Sequence, residues 1–179
     1  MNVKSKMLFV LIGNPGTGKT VLQKILIEKI CQDRYRYGRL PVNQIYNIAH
    51  PEIKRKYINI SIGNRSYQEK PEYISVENYF QHHFQQADIA FISSHLFEAD
   101  VAQIIEHGHR LFYNVYGIFW SNSIIVNHPE NSQISALNWD ERLIIENPAP
   151  AADEATIDWQ LNLIAENLVT FIVNRTSIS

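Results

Sequence analysis

The sequence predicts an α/β fold, a three-layer sandwich built on a mostly parallel five-stranded sheet. Three observations predict it. Met7 to Ile12 is a continuous apolar run, the pattern of a central strand buried on both faces. A glycine-rich turn follows at once and leads into apolar residues at helical spacing. Beyond that, short apolar runs alternate with amphipathic stretches, the arrangement in which parallel strands are joined by crossover helices.

Taken in order, the first strand is Met7 to Ile12. The first helix runs from Lys19 to Cys31, with Val21, Leu22, Ile25, Leu26 and Ile30 at helical spacing and Lys24, Glu28 and Lys29 elsewhere on the wheel. Gly38 and Pro41 mark a charged, tyrosine-rich break after it. Two short runs then compete for the second strand, Gln44 to Ile48 and Tyr57 to Ile62; the alternation of Ile58, Ile60 and Ile62 favours the latter. Tyr67 to Tyr73 contains Pro71 and reads as a loop. Val76 to Gln86 reads as a helix with Tyr79, Phe80 and Phe84 inward. Ile89 to Ile92 is the next strand and ends in Ser93, Ser94 and His95. A helix from Phe97 to about His107 turns Val101, Ile104 and Ile105 inward, and Gly108 stands where a carboxyl-terminal cap belongs. Leu111 to Trp120 is a further strand. Ser121 to Asn138 is polar and loop-like with weak helical potential, and Leu143 to Ile145 supplies the last strand. Thr156 or Asp153 caps a final helix whose Ile157, Leu161, Ile164, Leu168 and Ile172 form one stripe.

The 179 residues suit a single domain spanning 1–179, with a short lid around residues 121–142. Hydrophobic residues at 45% and charged residues at 19% exclude bulk disorder. The net charge of -2 gives no overall basic field, so neither nucleic acid nor an anionic membrane is an expected partner. One cysteine, Cys31, makes no internal disulfide, and the first apolar run is a poor match to a secretory signal; both fit a cytoplasmic protein. No apolar run reaches the ~20 residues needed to cross a bilayer.

Gly13-Asn14-Pro15-Gly16-Thr17-Gly18-Lys19-Thr20 satisfies the pattern G-x-x-x-x-G-K-[ST] between a buried strand and a helix. Glycines let successive backbone amides point inward, and these amides with the helix amino terminus cradle phosphates. Lys19 reaches the β and γ phosphates, and the Thr20 hydroxyl joins the coordination of Mg²⁺.

The segment resembles the Walker A motif of P-loop nucleoside triphosphatases and kinases, so the resemblance implies a P-loop nucleotide-binding fold. The loop is similar to that of AAA-type ATPases, which also need an acidic pair after a later strand and a helical lid domain. Neither is visible: the strand ends in Ser93-Ser94-His95, Asp88 is at its opposite end, and only Glu98 or Asp100 could substitute from the following segment. The small-molecule kinases fit the size better. Ser93 to Asp100 is similar to the corresponding segment of gluconate kinases, although the arginine that follows there is missing here. The resemblance implies transfer of the γ-phosphoryl group of ATP, with Mg²⁺, to a small-molecule acceptor. The rival expectation is a nucleotide-dependent switch or assembly ATPase acting through a protein partner. No base-recognition motif such as the N-K-x-D of many GTPases is present, which leaves ATP as the default.

By the same resemblance, the turn Asn147, Pro148 and Ala149 lies against the adenine. A second cation is expected near the transferring phosphate, with Arg142 the first candidate and Arg110 the second; a surface ion pair of Arg142 with Asp140 or Glu141 is the plainer alternative. Arg65 and His95, near the carboxyl ends of strands, are candidates to hold the acceptor. The acid nearest the second strand is Glu69. His82-His83 and His107-x-His109 have poor geometry for zinc. Lys54-Arg55-Lys56 reads as a solvated face.

Overall fold

The computed structural model describes residues 4–33, 38, 40–64, 66–147 and 153–177. Its sheet has β1 (Lys6–Ile12), β2 (Gln44–Asn47), β3 (Asn59–Gly63), β4 (Ile89–Ser94), β5 (Tyr113–Trp120) and β6 (Glu141–Ile145), in the order β2-β3-β4-β1-β5-β6. All neighbours are parallel except β2 and β3. The expected count of five strands is therefore corrected to six among the described residues. Both runs that competed for the second strand are strands, paired antiparallel with Tyr46 opposite Ile60. Ile58 precedes β3 and is exposed, whereas Ile60 and Ile62 are fully buried.

Helices cover both faces. Alternate residues of β1 enter different cores: Met7, Phe9 and Leu11 face one side, Leu8, Val10 and Ile12 the other. On the first side lie α1 (Lys19–Cys31) and α6 (Glu154–Ser177), packed against each other. On the second lie α2 (Val76–His82) and α3 (Glu98–Arg110). The polar segment with weak helical potential holds two short helices, α4 (Ser121–Val126) and α5 (His128–Ser135), the second anchored by the buried Ile134 and Asn131. Two 3₁₀ turns, Tyr67–Glu69 and Pro71–Tyr73, occupy the loop after β3.

Three local expectations are corrected. Gly108 lies inside α3 rather than capping it: a Cβ there would come within 2.7 Å of Val115 and 2.9 Å of Leu8, so the glycine lets the helix sit close to the sheet. The helix ends beyond it, with Phe112 at a φ of 63°. Helix α2 stops at His82, and Phe84 is buried from outside it. Ile157 is exposed rather than part of the α6 stripe, which Leu161, Ile164, Leu168 and Ile172 do form. Asp153, not Thr156, supplies the α6 cap, its carboxylate accepting from the Thr156 amide at 2.9 Å. Those bonds from Thr156 hold the Asp153 carboxyl below its ordinary range.

Candidate functional site

Strand β1 is the reversal point of the sheet. Its neighbours β4 and β5 extend the order in opposite directions, and the crevice at the carboxyl ends of such strands is where α/β sheets bind ligands. The Gly13–Gly18 loop leaves β1 at that position. It is fastened by the Gly13 amide donating to the Ser94 carbonyl at 3.0 Å and by the Thr17 hydroxyl donating to Asn14 O at 3.0 Å. Gly16 and Gly18 hold φ values of 86° and 93°, which residues with a Cβ rarely adopt. Gly18 is also the N-cap of α1, backed by Leu161 and Trp120. The first turn of α1 carries no acidic side chain, so the positive end of its dipole is unneutralised locally.

Lys19 is only 7% exposed. Its ammonium donates to the carbonyls of Gly13 and Asn14, the latter at 2.9 Å, and to the Thr17 hydroxyl at 3.4 Å. Burial lowers its pKa to about 8, with the nearby Glu69 carboxylate pulling the other way. A cavity of about 320 Å³ opens over the loop, lined by Pro15 to Val21 and by Asn64, Ser66, Glu69 and Ser93. Among the described residues, Asn64 Oδ1 and Ser66 Oγ are buried with no hydrogen-bond partner. Gln23, fully buried on the next turn of α1, donates to Gly63 O at 3.3 Å and to Ser93 Oγ at 3.4 Å, which ties the helix to the ends of β3 and β4.

The loop residues Gly13, Asn14, Pro15, Gly16, Thr17, Gly18, Lys19 and Thr20 are thus brought together, and Glu69 joins them from the turn after β3. Sequence reasoning noted Glu69 only as the nearest acid; the fold brings it to Lys19. Its Oε1 lies 2.9 Å from His95 Nε2, which places His95 one contact away from the loop cavity. Asn64 and Ser66 were not singled out, and Ser93 only as the start of the segment after the apolar run, because serine and asparagine at a strand end carry no distinctive spacing.

Arg142 is not brought to the loop. It projects from β6 to the Ser135 carbonyl at 2.9 Å and lines a different cavity with Phe119, Ile124 and Asn131. The acids suggested as its ion-pair partners are taken elsewhere, Asp140 by His109 and Glu141 by Arg175. Arg110 pairs with Glu106 on its own helix. Asn147 follows β6, and its Oδ1 accepts from the Ser121 hydroxyl and the Asn122 amide, both at 3.0 Å. Arg65, Pro148 and Ala149 lie outside the described residues. Asp88 sits at the opposite end of β4, bridged to Lys4 at 2.6 Å. Asp100 accepts from Gln68 at 2.8 Å and Tyr67 at 3.3 Å. Among the described residues no group of three or more His, Cys, Asp or Glu side chains is arranged to hold a metal, and no helix is long and apolar enough to cross a membrane.

No family model, curated protein or solved structure matches this chain.

Proposed function

We propose that the chain is a P-loop nucleotide-binding enzyme that takes ATP with Mg²⁺ on the Gly13–Thr20 loop and transfers the γ-phosphoryl group to a small-molecule acceptor. The observation that carries this reading is Lys19. A buried ammonium, held over a glycine-rich loop at the amino end of a helix with no acid in its first turn, suits a polyanion. The parallel order β3-β4-β1-β5-β6, with the loop at the carboxyl end of the strand where the order reverses, supports a fold of the P-loop type.

In this reading the loop amides orient the phosphates, and Lys19 exchanges carbonyl oxygens for β and γ phosphate oxygens. Such transfer depends on positioning and charge stabilisation, which rigid amides and a fixed ammonium supply. The donors fit Mg²⁺: Thr20 and Ser93 bring hydroxyl oxygens to the cavity, and this ion takes few protein ligands beside phosphates and water. Thr20 would hold it, and the bound ion supplies charge neutralisation between the phosphates. The adenine would lie against the turn that begins at Asn147.

A second reading, a nucleotide-dependent switch or assembly ATPase, is favoured by one observation. β4 ends in Ser93 and Ser94 instead of a carboxylate that would orient an attacking water. That reading expects slow ADP release indifferent to small acceptors and a size in solution that changes with nucleotide.

The test is ADP release from ATP·Mg²⁺, with and without small hydroxyl compounds, by the wild type and Lys19→Ala. Turnover that disappears in a variant with an unchanged circular dichroism spectrum supports the assignment. Undiminished turnover in Lys19→Ala removes it.

A further inference from the structure

Strand β6 stands at the end of the sheet, and among the described residues no strand lies beyond it. The backbone of β5 shows which groups of β6 point outward. Val115 turns both its polar groups toward β6: its carbonyl accepts from the Asp140 amide at 3.0 Å, and its amide donates to the Asp140 carboxylate at 2.6 Å. Odd-numbered residues of β5 therefore face β6, and the parallel register of Ile118 with Leu143 brings them to Glu141, Leu143 and Ile145. Arg142 and Ile144 turn their amides and carbonyls away from the sheet, and Glu146 is next in that alternation. All three side chains share one face of the strand and are exposed, Ile144 by 67%. A large apolar side chain in the middle of an open edge is a template for another strand. Leu143 and Ile145 face the other way, toward the core under α6. A groove of about 480 Å³ separates β6 from α6 there, lined by the exposed Trp159 and Leu163, so the helix leaves the edge uncovered.

The order of charges along the edge selects its occupant. In an antiparallel pair, outward-turned residues meet outward-turned residues, so a second β6 has few registers to choose from. With Ile144 opposite its own copy, Arg142 lies opposite Glu146 and Glu146 opposite Arg142. On the α6 face the same register sets Leu143 opposite Ile145 and Ile145 opposite Leu143. Sliding the partner one way by a pleat sets Arg142 against Ile144, and by a further pleat sets Arg142 against Arg142. Sliding it the other way sets Ile144 against Glu146. One register alone matches apolar with apolar and positive with negative from Arg142 to Glu146. The opposite edge of the sheet, β2, spans Gln44–Asn47 without a charged residue and offers no such match.

We propose that the β6 edge is an interface with a second copy of this chain, the two strands pairing antiparallel about a two-fold axis at Ile144 and joining their sheets into one. The backbone groups of Ile144 bond those of the partner's Ile144, and each Arg142 pairs with the partner's Glu146. The guanidinium of Arg142 uses one nitrogen on the Ser135 carbonyl and has others for that carboxylate. Trp159 and Leu163 flank the seam on the α6 side, where the partner's strand closes the groove and removes apolar surface from water. The inference does not depend on the nucleotide reading of the loop.

The test is sedimentation equilibrium of the full chain at concentrations from about 1 to about 100 µM, where the wild type should show a monomer–dimer equilibrium. Arg142→Glu and Glu146→Arg each set like charges opposite one another and should weaken the dimer at least about tenfold. The double variant Arg142→Glu/Glu146→Arg, and an equimolar mixture of the two single variants, restore opposite charges at both pairs and should recover it. Ile144→Lys sets two ammonium groups at the axis and should sediment as a single chain. Circular dichroism checks that each variant is folded, which the exposure of all three positions favours. Amide exchange in the wild type should slow with rising concentration at Arg142 and Ile144, whose amides point outward, more than at Leu143 and Ile145. A wild type that stays a single chain throughout overturns the proposal; the two charges then guard the edge, or the edge takes a strand of another protein. A dimer indifferent to Ile144→Lys and to the single charge reversals uses another surface and overturns it as well. Single reversals that weaken the dimer with no recovery in the double variant or the mixture overturn the register.

Discussion

Lys19 carries its charge where burial penalises it, and this has a measurable sign. Its pKa is about 8 in the folded chain against an ordinary 10.5. Between those values the unfolded chain holds a proton on this lysine that the folded chain has released. The unfolded state then binds more protons, so Lys19 contributes stability that rises with pH from about 8 to about 10.5, and its penalty is fully present below that window. Affinity for a triphosphate runs the other way, because the anion needs the ammonium. Calorimetry in buffers of different ionisation enthalpy should find proton uptake on binding above pH 8, and affinity should fall as pH rises through that value in the wild type but not in Lys19→Ala. At this scale the grouping of Lys19 and Thr20 at one cavity was legible because they are adjacent in one loop. Glu69 was not, since only the fold of β3, its following turn and β4 brings it to Lys19. Arg142 was misplaced for the reverse reason: a strand position names a sheet edge without saying where a long side chain leads.

Helix α3 shows how a local signal yields to packing. Glycine near a helical end reads as a cap, yet Gly108 is buried against Val115 and Leu8 and the helix continues to Arg110. Gly108→Ala gains about 1 kcal/mol of helix propensity but forces an atom to within 2.7 Å of Val115 Cγ2, and overpacking of that kind costs about 1–3 kcal/mol. A net loss of up to about 2 kcal/mol in urea denaturation is expected; a gain would show that the sheet accommodates the methyl. The periodic elements β1, α1 and α6 were legible because their buried faces are long. β2 was passed over because an antiparallel edge strand of four residues buries only Tyr46 and so carries little pattern. The end of α2 was overrun because Phe84 prolongs the apolar spacing after the backbone has left the helix.

At the scale of the whole molecule, α1 and the loop are tied to the core on the α1 and α6 side of the sheet, through Leu22 and Ile25 beneath the helix and Leu161 and Trp120 behind Gly18. A ligand on the loop should therefore stabilise the entire fold. With ATP·Mg²⁺ at about a hundred times its dissociation constant, mass action adds about 2.7 kcal/mol, and a chain of this length should melt roughly 5–10 °C higher. The same nucleotide should leave the Tm of Lys19→Ala nearly unmoved. Alternation of strands and helices made the class of fold legible, whereas the strand order was not, because nothing in a strand's own residues names its neighbour. The reversal at β1, where the loop leaves the sheet, is a property of that order.

The most direct test of the account is equilibrium binding of a non-hydrolysable ATP analogue with Mg²⁺ to the wild type and to Lys19→Ala, by isothermal titration calorimetry. The account predicts one site per chain in the wild type and affinity at least about tenfold weaker in the variant, the loss of one charge-assisted phosphate contact. No binding by the wild type, or equal binding by a folded Lys19→Ala, would contradict it.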